Sequence, residues 1–243
     1  MTRALAVLAL CMVWAGAAGA AVCGRMQFEG ANYTVCAARP AQDDLRLFLD
    51  DANGQPYGSF SAVRTALEAE GKHLVFAMNG GMYRPDLSPV GYYVEDGVER
   101  TPLLTGASKG NFGMLPNGVF CIGSDTAQVI ETRLFARTRP ACRYATQSGP
   151  MLVIGGKLHP RLIAGSPSRL VRNGVGTTAA GDRAVFVIAD KPVNLYDFAR
   201  AFRDALGLSD ALYLDGRVSR LYAPAIGRDD IGLPMGPIVG LVE

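Results

Sequence analysis

The sequence predicts an α+β domain: a mixed, largely antiparallel arrangement of many short strands and hairpins, with two main helices packed on it. Three observations carry that prediction. Short apolar runs punctuated by Gly, Pro and Asn recur along the chain, the texture of many short strands. Only two stretches carry the 3.6-residue apolar period of a helix. No βαβ rhythm, internal repeat, linker or low-complexity tract breaks the pattern, so residues 21–243 read as one domain.

The first residues stand apart from the fold. Met1-Thr2-Arg3 is a short basic start, Ala4 to Ala18 is apolar, and Ala18-Gly19-Ala20 is a small-x-small cleavage pattern. Residues 1–20 therefore read as a secretory signal peptide cut near Ala20. Val22 before Cys23 argues against lipid attachment, and no later segment is long and apolar enough to span a bilayer. The mature chain is expected in the periplasm or the medium.

Residues 33–37 and 45–50 are the first two expected strands, and His73–Met78 is a third. Residues 91–100 read as a hairpin around Asp96-Gly97. Residues 111–122 read as another around Pro116-Asn117-Gly118, and 151–158 as a third around Gly155-Gly156. Strands at 184–190, 211–215 and 238–242 complete the series. The helix over 60–70 places Val63, Ala66 and Leu67 on one face and stops at Gly71. The helix over 194–206 has Asn194 as cap and Asp197 in its first turn. Its apolar stripe is Leu195, Phe198, Ala199, Phe202 and Leu206.

Export gives the cysteines meaning. Cys23, Cys36, Cys121 and Cys142 remain after cleavage, and four cysteines permit three pairings. Cys23–Cys36 with Cys121–Cys142 is preferred, because each pair closes a local loop around a strand or hairpin. No Cys-x-x-Cys is present and the histidines are His73 and His159, so no zinc or redox site is expected. The formal charge of +2 falls to +1 with Arg3 removed. So balanced a charge makes no case for nucleic acid or an anionic membrane.

Gly106-Ala107-Ser108-Lys109-Gly110 matches the nucleophile elbow of serine hydrolases in letters only. The elbow needs a strand before it and a helix after it, and neither is predicted there. His73 and His159 read as edge or rim residues without partners. Four Gly-rich corners are more informative. They are Asn79-Gly80-Gly81, Gln147-Ser148-Gly149, Arg172-Asn173-Gly174 and Asp215-Gly216. Each joins small residues to one carboxamide, guanidinium or carboxylate at a strand end. Arg172 suits phosphate oxygens, and the amides at 80–81 and 148–149 suit an anion. Asn79 and Gln147 can orient hydroxyls, and Asp215 can act as acid, base or nucleophile.

These corners, with Phe76–Tyr83, Ser88–Gly97, Gly110–Gly113, Pro116–Phe120 and Ala145–Val153 in the same order, resemble the phosphodiester glycosidase family. The resemblance covers residues 25–243. It is the domain of the mammalian uncovering enzyme and of many exported bacterial proteins, and it favours the periplasm. The family's animal member hydrolyses α-N-acetylglucosamine-1-phosphodiesters, leaving a phosphomonoester. The resemblance carries the family's polar positions onto Asn79, Gly80, Gly81, Gln147, Gly149, Arg172, Asp215 and Gly216. One departure stands out. Many members continue the last motif as Asp-Gly-Gly-Gly-Ser, whereas this chain reads Asp215-Gly216-Arg217-Val218-Ser219. Either the substrate differs or Arg217 adds a phosphate contact of its own.

The expectation is thus an exported glycosidase that cuts the anomeric C–O bond of a sugar-1-phosphodiester. Asp215 is the catalytic candidate, with Asp86 and Asp190 as secondary ones. Asn79, Gly80, Gly81, Gln147, Ser148, Gly149, Arg172, Gly216 and Arg217 are the expected substrate contacts. No metal or cofactor is demanded, although a divalent ion between Asp215 and phosphate stays open. The partner is a sugar phosphate or phosphoglycan. The rivals are a non-catalytic glycan-binding module and a phosphodiesterase that cuts P–O.

Overall fold

A computed structural model of the protein describes residues 22–243, and the expected signal peptide lies outside them. In chain order the elements begin with β1 (Cys23–Phe28), β2 (Ala31–Ala38), β3 (Asp44–Phe48), α1 (Phe60–Ala69) and β4 (Leu74–Asn79). Next come β5 (Tyr93–Glu95), β6 (Val98–Thr101), β7 (Gly118–Ile122), β8 (Ala127–Glu131), α2 (Thr132–Thr138) and β9 (Tyr144–Ser148). The strands β10 (Met151–Ile154), β11 (Lys157–Leu158), β12 (Asn173–Thr177) and β13 (Ala184–Ala189) lead to α3 (Leu195–Arg200). The chain closes with β14 (Asp210–Asp215), β15 (Leu221–Ala223), β16 (Arg228–Asp229) and β17 (Ile238–Val242).

The strands form three antiparallel sheets. Their orders are β1-β2-β13-β12-β14-β10-β11, β16-β15-β4-β17-β3 and β6-β5-β9-β7-β8. Side-chain alternation explains how they stack. On β13, Ala184, Phe186 and Ile188 face a central core, while Val185, Val187 and Ala189 face a second core. All six are buried, which is why the strand reads as one unbroken apolar run. The central core also takes Leu47, Phe76 and Met78 from the second sheet and Tyr93 and Phe120 from the third. All three sheets therefore share one apolar centre.

Each outer face is covered by one helix. Phe198 and Phe202 pack with Val185, Val187 and Tyr213 on the first sheet. Phe60, Val63 and Leu67 of α1 pack with Leu74, Ala77 and Ile238 on the second. Phe135 of α2 packs with Tyr92, Val119 and Ala145 on the third. The α+β class read from the sequence is what the chain adopts.

Local readings hold with four corrections. Ser59 Oγ caps α1 by accepting from Ala62 N, and Asn194 Oδ1 caps α3 by accepting from Asp197 N. The helix expected to run to 206 leaves α geometry at Ala201 and continues as a π-helical turn, Ala201–Ala205. The expected hairpin over 111–122 does not form; β7 pairs with β8 and β9 instead, and Asn117 is buried, donating to the Phe112 carbonyl at 2.9 Å. Residues 172–176 are largely strand rather than a corner, because Gly174 and Gly176 lie under Phe198 and Phe202, where a Cβ would crowd the rings. His159 is buried and not on a rim: its Nδ1 accepts from Arg161 N at 3.1 Å, and burial holds its pKa low. The loop at 106–110 has no strand or helix beside it, so Ser108 sits on no elbow.

The disulfides are Cys23–Cys36, across the β1–β2 pair, and Cys121–Cys142, which ties β7 to the approach to β9. The second closes a loop of 21 residues, for which loop-closure entropy gives about 3 kcal/mol. Replacing Cys121 and Cys142 together by Ser is expected to lower the unfolding free energy by about that amount in chemical denaturation. An unchanged denaturation midpoint would show that this bond holds nothing.

Candidate active site

The four corners do converge, but as a brace. Asn173 Nδ2 donates to the Asn79 carbonyl at 2.9 Å, joining the first sheet to the second. Asn79 Oδ1 accepts from Arg220 N at 3.3 Å, and Ser148 Oγ donates to the Leu214 carbonyl at 3.2 Å. A Cβ on Gly80 would lie 3.1 Å from Val239 N, and one on Gly81 would lie 2.7 Å from Thr146 Oγ1. Gly149 is hemmed by Asn117 and the Phe112 carbonyl in the same way. These glycines let three sheets touch. The Gly80 N–H is also spent on the protein, donating to the Pro237 carbonyl at 2.6 Å.

Gln147 is likewise committed. Its Oε1 accepts from Tyr92 N and Leu104 N at 3.0 and 3.1 Å, and its Nε2 donates to the Leu104 carbonyl and to Thr132 Oγ1. A carboxamide has two acceptor and two donor positions, and all four are used. Gln147 ties down the 92–104 segment and has nothing left for a hydroxyl.

The opening lies above this brace. A cleft of about 610 Å³ is walled by Met82, Tyr83, Arg84 and Pro85, the residues that the Asn79-Gly-Gly corner sends outward. Leu170, Val218, Asn111, Tyr213, Asp215 and Arg217 also line it. Of the expected contacts, Asp215 and Arg217 line this cleft; the others lie behind or beside it.

Asp215 ends β14 and is 8% exposed. Its Oδ1 accepts from the Gly216 and Arg217 N–H groups, the latter at 2.7 Å. No arginine, lysine or histidine pairs with it among the described residues. Burial therefore pushes its carboxyl above the ordinary carboxylate range, and the N–H groups of residues 216–218 and the Arg217 charge offset only part of that. Asp215 is the one acid among the residues lining the cleft. The secondary candidates are elsewhere: Asp190 is paired with Arg228 at 2.8 Å, and Asp86 accepts from Ser88 in an exposed turn.

Arg172 is 1% exposed and is not the free phosphate fork expected of it. Its Nε donates to the Val193 carbonyl, Nη1 to Tyr213 Oη and Nη2 to the Ser168 carbonyl, at 2.8, 2.9 and 2.9 Å. No carboxylate pairs with it among the described residues. Its charge reaches the cleft through Tyr213, whose ring it also faces at 5.3 Å. Arg217 is exposed, and its side chain has no hydrogen bond or ion pair among the described residues. Tyr213 was missed in the sequence. The available signal was alternation: residues two apart on a strand share a face, so Tyr213 accompanies Asp215.

Residues 72–228 match the family model described as phosphodiester glycosidase. The chain belongs to the phosphodiester glycosidase family. It is 34% identical over 190 residues to the uncharacterized Escherichia coli protein YigE, covering 78% of this chain and 72% of that one. Its fold is similar to the zebrafish N-acetylglucosamine-1-phosphodiester α-N-acetylglucosaminidase catalytic domain, solved in a form auto-inhibited by its pro-peptide. That likeness has a TM-score of 0.61 at 11% identity, over 90% of this chain and 81% of that one. A hypothetical protein from Synechocystis gives a TM-score of 0.58 at 13% identity, over 90% and 61% of the two chains. All four Gly-rich corners, from Asn79 to Gly216, fall inside the matched residues, so the matched region contains Arg172, Tyr213 and Asp215 together.

Proposed function

We propose that this protein hydrolyses the anomeric C–O bond of a sugar-1-phosphodiester of the N-acetylglucosamine-1-phosphodiester kind, releasing the sugar and a phosphomonoester. The observation that carries this reading is the lone acid in a cleft with cations on its wall. An ordinary glycoside needs a second carboxyl to protonate its departing alkoxide. A phosphomonoester has a second pKa of roughly 6 and leaves without that help. One buried carboxylate beside Arg217 suits such a leaving group.

Asp215 Oδ1 accepts from the Gly216 and Arg217 N–H groups, and Oδ2, which accepts from neither, is assigned the chemistry. It either takes a proton from a water that attacks C1, or attacks C1 itself and is then displaced from C1 by water, which restores the carboxylate. In either case the C1–O electron pair departs on the phosphate and the water oxygen ends on C1. Arg217 supplies a guanidinium for the phosphodiester oxygens. The zebrafish neighbour's substrate and the family match support the sugar-phosphate class. Two disulfides support an oxidising, exported setting.

The raised carboxyl sets a pH signature. With Asp215 acting ionised, kcat/KM falls as pH drops through its raised pKa, so the acid limb lies above the ordinary aspartate value of about 3.9. Stability runs the other way. A carboxyl raised by folding favours the folded state below its ordinary pKa, and that benefit is lost as pH rises through the raised value. A pH–rate profile with its acid limb at or below the ordinary value would contradict this assignment.

Turnover of a panel of sugar-1-phosphodiesters by the mature protein tests the function. Release of free sugar and phosphomonoester is expected. Binding without release would mark a glycan-binding module instead.

A further inference from the structure

We propose that the Tyr213 hydroxyl is the donor that receives the departing phosphate, and that Arg172 is a positioning residue acting through it. The proposal rests on the reading of the cleft as a phosphodiester site. Two hydroxyl-bearing side chains line that cleft, Tyr83 and Tyr213. Tyr83 spends its proton on the Pro234 carbonyl at 3.0 Å. Tyr213 is different. Its oxygen accepts from Arg172 Nη1 at 2.9 Å, and the Asn111 side chain hydrogen-bonds it in the sense that lowers its pKa, as a second donor to that oxygen does, whereas no hydrogen bond donated by the Tyr213 hydroxyl is found among the described residues. A 1%-exposed phenol that accepts from the protein but donates to none of it has its donor kept for something in the cleft.

The corner is built around that oxygen. A Cβ on Gly216 would lie 2.1 Å from Tyr213 Oη, so Gly216 leaves the space the phenol tip occupies beside Asp215. Arg172 is anchored by the Val193 and Ser168 carbonyls, and this fixes the direction from which Tyr213 Oη is approached. Burial pushes the Tyr213 phenol up to about 12, so it stays a donor throughout the physiological range. In the reaction the C1–O bond breaks and its electron pair goes to the phosphate oxygen. The Tyr213 O–H hydrogen-bonds that oxygen as its charge grows, and no proton has to move.

Removal of one such donor costs about 10²–10³-fold in kcat. Tyr213→Phe keeps the ring and deletes the donor. The experiment measures kcat on a sugar-1-phosphodiester, and calorimetric affinity for phenyl phosphate and for free N-acetylglucosamine, in wild type and variant. The expected result is a kcat loss of about that size, at least tenfold weaker phenyl phosphate binding, and free-sugar affinity unchanged within about twofold. A purely structural tyrosine would move both affinities together or neither. Equal affinities for phenyl phosphate, no phenyl phosphate binding by wild type, parallel loss of both ligands, or retained kcat overturns the proposal. Wild-type turnover with an unaffected variant would remove Tyr213 alone, whereas absence of wild-type turnover would remove the functional reading itself.

Discussion

Asp215→Asn is expected to abolish turnover, by about 10³-fold or more, while leaving the melting temperature unchanged or raised. The two halves have separate causes. The asparagine oxygen can still accept from the Gly216 and Arg217 N–H groups, so the turn at the end of β14 is kept. What disappears is an ionised group that the fold buries without a cationic partner, and whose carboxyl is raised by that burial. The proposed chemistry needs the charge, and the turn does not. Kinetics and calorimetry on one preparation check both halves. A structural carboxylate would behave in the opposite way, losing stability and keeping activity. In the variant the Asp215 contribution to the pH dependence of stability also vanishes.

Gly216→Ala is the second large effect. The added methyl would sit 2.1 Å from Tyr213 Oη and 3.2 Å from Leu170 Cδ1. Either the phenol leaves Arg172 or the 215–217 turn moves, and both misplace groups that line the cleft. The expected cost is about 1–3 kcal/mol of stability from overpacking. The expected loss in kcat is about 10²-fold, the size that a misplacement of an ångström can carry. Gly24→Ala is the control, since nothing lies within 4 Å of a Cβ built there. That variant should stay within about 0.5 kcal/mol and retain full activity. Wild-type kinetics in Gly216→Ala would mean that the corner has more room than the structure gives it.

Much of the fold was legible because local and tertiary signals agree. Ser59 and Asn194 announce their helices by capping chemistry, and Asp96-Gly97 announces its hairpin, with both residues at positive φ. Residues 132–138 were not read as a helix. Seven residues opening on a threonine, with Phe135 as the one large apolar side chain buried, give too little periodicity, and the Glu131 cap is seen only once Leu134 N is in place. Pro116-Asn117-Gly118 looks like a turn, yet Asn117 is drawn inward to the Phe112 carbonyl.

The site was half legible for a related reason. Asn79, Gln147, Arg172 and Asp215 were picked out as polar groups at strand ends, and they do meet around one region. Residue type says what a side chain can bond. It does not say which partner takes the bond. Gln147 and Arg172 are spent on the protein, and the cleft is lined by Asp215 and Arg217, as expected, together with Tyr213, Tyr83, Arg84 and Asn111, which were overlooked.

The central claim is that bond cleavage occurs at the anomeric carbon. Hydrolysis of a sugar-1-phosphodiester in ¹⁸O-labelled water, with both products examined by mass spectrometry, tests it most directly. The account predicts label on the anomeric oxygen of the released sugar and none in the phosphomonoester. Label in the phosphate would mean that the protein cuts P–O, and would contradict it.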